Sequence, residues 1–64
     1  MTTAKFYSDK VDAFQQLVWD YNHNSELAYE AGEYNLMMYW DSKMESAAKN
    51  LNYYIGLHRA SLKS

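Results

Sequence analysis

Ala28-Tyr29-Glu30-Ala31-Gly32-Glu33-Tyr34-Asn35 holds one of only two glycines in a 64-residue chain that has no proline, and its conformation decides the fold. Upstream of it, apolar side chains return in alternating steps of four and three, at Tyr7, Val11, Phe14, Val18 and Tyr21, and Ser25 and Ala28 continue the row. Downstream the pattern restarts at Met37, Trp40, Met44 and Ala47, then passes through Leu51, Tyr54, His58 and Leu62. Between the two rows Gly32 can take a positive φ without a steric penalty, so it suits a left-handed cap that ends one helix and lets the chain reverse. The predicted fold is therefore all-α, an antiparallel hairpin of two long helices in a single helical domain spanning residues 1–64, completed as a bundle by dimerisation or by a partner.

The arms match in length. Counting outward from Gly32 gives about 29 residues to one side and about 30 to the other, each ~45 Å long at 1.5 Å per residue. Antiparallel pairing places residue i opposite residue 64 − i, which sets Phe14 near Leu51 and Val18 near Ala47. Asn22-His23-Asn24-Ser25 is the weak point, because four poor helix formers in a row also allow a new helix capped at Ser25. Three helices, split near residue 23, is the alternative.

Composition restricts what holds such a chain together. A short domain buries a small share of its surface, and without cysteine it has neither a disulfide nor a thiolate metal site to staple it. Seven tyrosines and two tryptophans offer dense ring packing instead, within the hairpin or against another chain. The opening MTTAKFYSDK lacks the apolar run of a signal peptide, and no 18-residue uncharged stretch follows, so a cytoplasmic location is expected, in the host cytoplasm if the chain is phage-encoded.

Gly32-Glu33-Tyr34 after an alanine-rich turn resembles the inter-helix corner of a tetratricopeptide repeat over about eight residues. Met37 and Asp41 depart from that repeat and no second copy follows, so the likeness is one of turn chemistry. In architecture a hairpin of this length resembles the subunit of small dimeric four-helix bundles of the plasmid RNA-binding Rop type, with no residue motif in common.

Catalytic chemistry finds little support. Asp20-x-x-His23 has the carboxylate-to-histidine spacing of four-helix di-iron proteins, with Asp41 or Glu45 at a similar height on the other arm. His23, however, falls on the polar side of its helix between two asparagines, and solvated polar side chains explain the pattern more simply. His58 lies on the apolar row, ~25 Å from His23 by helical rise, with no carboxylate to orient it. There is no phosphate loop, zinc spacing or nucleophile elbow, and two helices enclose almost no pocket. No enzyme activity, metal or cofactor is expected.

Charge and exposed rings say more. Residues 20 to 45 carry six acids against Lys43, a net of −5, while the rest carries five cations against Asp9 and Asp12, a net of +3. In a hairpin these become an acidic bend and a basic end. Two helices meeting along one stripe cannot also cover Trp19, Tyr29, Leu36, Met38, Tyr39, Trp40, Tyr53 and Leu57, and large exposed apolar area marks an interaction site. The partner-binding set drawn from them is Trp19, Tyr29, Leu36, Tyr39, Trp40 and Tyr53, together with Glu30 and Glu33 at the bend. The expected function is a small non-catalytic protein-interaction module that occupies a larger protein, self-associates as a homodimer, or does both. Small, cysteine-free, tyrosine- and asparagine-rich chains of this kind suggest accessory inhibitors or adaptors that phages and other mobile elements direct at host or defence machinery. The alternative is a homodimeric nucleic-acid-binding regulator using Lys49, Arg59 and Lys63, with Tyr53 or Tyr54 as a stacking face. No membrane partner is expected.

Overall fold

A computed structural model describes residues 3–63 and contains, among them, two α-helices: α1, Thr3–Glu30, and α2, Tyr34–Lys63. They pack as an antiparallel hairpin 49 Å long and 15 × 12 Å in section. The Cα radius of gyration is 14.6 Å, against about 11 Å for a compact domain of this length, so the molecule is a rod.

The bend forms where the sequence places it. Gly32 adopts φ +76°, the only positive φ among the described residues. Its N–H donates to the Tyr29 carbonyl at 3.0 Å, and the Glu33 N–H reaches back to the Ala28 carbonyl at 2.9 Å. These two bonds are the paired closures of a Schellman cap, which satisfies the last carbonyls of α1 while turning the chain. Glu33 then serves as the N-cap of α2: its carbonyl accepts the first helical bond, from the Met37 N–H at 2.9 Å. A carboxylate just before α2 also complements the positive end of its dipole.

α1 runs unbroken through residues 22–25, so the three-helix alternative does not hold. The poor helix formers are held from outside the backbone. Asn22 Nδ2 donates along the helix to Glu26 Oε1 at 3.5 Å, and Ser25, buried, sends its hydroxyl across to Asp41 Oδ1 at 2.5 Å. Ser25 is thus a seam residue rather than the N-cap of a new helix. Packing of an apolar row on both sides of a weak stretch outweighs a few tenths of a kcal/mol of propensity per residue.

Pairs across the hairpin follow the expected register. Tyr7 with Tyr54 and Tyr21 with Trp40 have numbers adding to 61, Ser25 with Asp41 to 66, and Phe14 with Tyr54 to 68, all around the expected 64. The seam has two textures. Ser25 and Ala28 near the bend and Ala47 at mid-length are buried, small residues that leave room for close helix approach, with Tyr21 stacked on Trp40 between them. Towards the open end, rings fill the gap: Phe14 stacks on Tyr54 at 5.6 Å and 14°, and Tyr7 lies 6.2 Å from the same ring. No large side chain among the described residues is fully enclosed.

Candidate protein-interaction surface

Alternation of three and four, from Tyr7 to Ala28 in α1 and from Met37 to His58 in α2, is a heptad pattern, and it fixes which residues flank the seam on each side. On one side lie Phe6, Leu17 and Leu27 of α1 and Leu36, Tyr39 and Tyr53 of α2, all exposed. We call this the leucine flank. Local contacts agree with the assignment: Lys10 Nζ sits 5.6 Å from the Phe6 ring and Lys43 Nζ 5.6 Å from the Tyr39 ring, each pair on this same side. These cations cover ring faces with their stems and leave the flank largely apolar.

The opposite side is the tryptophan flank. Trp19 is 74% exposed, and Tyr29, Tyr34, Met38 and Leu62 are open as well. Tyr29 and Tyr34 lie 6.0 Å apart and bridge the helices just below the bend, placing both on this side. Asp41, also here, takes the Ser25 hydrogen bond that crosses the seam. Around these rings stand Asp12, Glu26, Asp41 and Glu45, and beyond the bend Glu30 and Glu33, all exposed.

The eight partner-binding candidates therefore do not form one patch. Trp19 and Tyr29 belong to the tryptophan flank, with Glu30 and Glu33 at the adjoining acidic end; Leu36, Tyr39 and Tyr53 belong to the leucine flank. Trp40 is half-buried, stacked on Tyr21 at 5.8 Å and 25°, and so lies partly in the seam. A wheel drawn for each helix alone reveals outward rings but not which helix faces join, because that depends on the antiparallel pairing. Met38, expected among the uncovered side chains, is exposed here, and Tyr34 was missed because only the pairing puts it beside Tyr29.

Among the nucleic-acid candidates, Lys49 and Lys63 lie along the outer back of α2 and Arg59 on the tryptophan flank. Lys49 Nζ is 3.7 Å from Glu45 Oε1, an exposed ion pair of small energetic value. Tyr53 sits on the leucine flank and Tyr54 in the seam, edge to face at 5.2 Å.

His23 is exposed and His58 half-buried, with the Ser61 hydroxyl donating to the His58 carbonyl at 2.7 Å rather than to its ring. Among the described residues no three histidine, aspartate or glutamate side chains gather closely enough to hold a metal ion. The concavities are open and shallow, one beside Trp19 with Asp12, Gln15 and Gln16, one over residues 32–36. No described helix is long and apolar enough to cross a membrane. Among protein families, curated proteins and solved structures, none matches this chain.

Proposed function

We propose that this protein is a non-catalytic interaction module, an accessory inhibitor or adaptor of the phage or mobile-element type, that docks its tryptophan flank and acidic bend on a basic surface of a larger protein. The observation that carries this is the composition of that flank. Trp19 is three-quarters exposed on the same flank as a Tyr29–Tyr34 pair, and residues 20 to 45 surround the rings with a net charge of −5. An exposed tryptophan gains by entering an apolar socket, and an acidic rim selects a cationic surround and speeds encounter.

The test starts from immobilised protein in lysate, followed by binding measurements on whatever single protein is retained. Trp19→Ala and Tyr29→Ala should each weaken that complex by about 2 kcal/mol or more, roughly 30-fold, and salt should slow its formation. Recovery of RNA or DNA instead, with affinity falling steeply in salt and lost in Lys49→Ala and Arg59→Ala, would replace this function with that of a nucleic-acid regulator.

A further inference from the structure

The leucine flank has a different character, and we infer that a second copy of this chain covers it, head to tail, with the acidic bend of each copy beside the basic end of the other. Three observations lead there.

The first is area. The chain exposes 4921 Å², whereas a compact monomer of 7.6 kDa exposes about 4300 Å², an excess of roughly 600 Å² per chain. Two chains that removed that excess from water would bury about 1200 Å² in all, the lower bound of a specific stable interface.

The second is dryness. Exposed apolar side chains stand towards both ends of the leucine flank on both helices, with Leu17 at its middle; the polar side chains between them are the uncharged Asn24, Ser46 and Asn50, and the charges are only Lys10, Lys43 and Asp20. Two of those three lie against rings of the same flank, so the surface can be covered with little charge desolvated.

The third is symmetry. Taking 1.5 Å of rise per residue, Leu17 stands about midway along the hairpin. Leu27 and Phe6 are then about equally far above and below it on α1, as are Leu36 and the half-buried Leu57 of the same flank, and Tyr39 and Tyr53, on α2. A two-fold axis lying in the interface and crossing the rod at its middle superposes these pairs: Leu27 over the second copy's Phe6, Leu36 over Leu57, Tyr39 over Tyr53, Leu17 over Leu17. Such an isologous contact closes as a dimer. A parallel arrangement, bend beside bend, also buries apolar surface, but it sets net charge −5 beside −5 and +3 beside +3. The head-to-tail arrangement sets −5 beside +3 twice, and like charges brought within a Debye length of about 8–10 Å repel. Charge thus selects the orientation.

The experiment reads orientation without touching the leucine flank. Because the chain has no cysteine, Asn35→Cys and Lys49→Cys each give one labelling site on the outer back of α2. Spin-label distances between copies should differ greatly. Head to tail, the two labels are offset along the bundle by about 36 Å at residue 35 and by about 6 Å at residue 49. Equal distances at the two sites would mean a parallel pair and overturn the orientation; absence of dipolar coupling at concentrations of tens of micromolar would overturn the dimer itself. A third label, Ser42→Cys, should fall between, at an axial offset of about 15 Å, and guards against a local effect at either first site.

Discussion

On the leucine flank rings and aliphatic side chains stand with three charges, Lys10, Lys43 and Asp20, and the uncharged Asn24, Ser46 and Asn50 among them; on the tryptophan flank six charged side chains, Lys5, Asp12, Glu26, Asp41, Glu45 and Arg59, are interleaved with the rings. The outward apolar residues are similar in number on the two sides, so counting them would not separate the surfaces. What separates them is the desolvation each would require. A dry flank can be buried against its own copy and stay buried. A flank studded with carboxylates resists that and is better matched by a partner that supplies the opposite charge. The hairpin in this view has one side for assembly and one for recognition.

The sharpest way to break this comparison is to place one carboxylate on each side in turn. Leu27→Asp should weaken self-association by on the order of 3 kcal/mol, about 100-fold in dissociation constant, because the new charge would be desolvated in the interface. Trp19→Asp should leave the mass in solution unchanged. Equal effects from the two would erase the distinction.

The turn comes next, since it sets the register that assigns residues to flanks. Gly32→Ala should destabilise the fold by about 1–2 kcal/mol, although nothing lies within 4 Å of the added methyl, because alanine at φ +76° is strained whatever the space. A denaturant melt compared with the parent at equal protein concentration measures it. Ser25→Ala tests the crossing between seam and tryptophan flank. It removes the hydroxyl from Asp41 and should cost about 1 kcal/mol, moderated because Asp41 remains exposed to water. The smallest effect has the opposite sign. Gly56 lies inside α2 on the back of the hairpin, on neither flank, with open space around a Cβ; Gly56→Ala should stabilise by about 0.5–1 kcal/mol and leave the mass alone. The same glycine-to-alanine change thus destabilises at position 32 and stabilises at position 56, and the backbone angle is the reason.

How much of this was legible beforehand depends on the kind of interaction involved. The hairpin followed from two apolar rows and one glycine, because periodicity and positive φ are local properties. The continuity of α1 through Asn22–Ser25 was not, because the propensity of those four residues is outweighed by a contact sixteen residues away in Asp41. The charge poles were visible from the counts alone. The division of Trp19, Tyr29, Tyr39 and Tyr53 between two faces was not, since it emerges only when two wheels are joined in register; Trp40 already stood on the apolar row, and its stacking on Tyr21 follows that row rather than its place among the partner-binding residues.

Sedimentation equilibrium of the purified chain over a range of micromolar concentrations tests the central claim most directly, that two arms folded at Gly32 leave a dry flank which a second copy covers. The prediction is a species of twice 7.6 kDa whose thermal unfolding midpoint rises with protein concentration, as mass action requires of a dimer. A cooperatively folded 7.6 kDa monomer with a midpoint independent of concentration would contradict it.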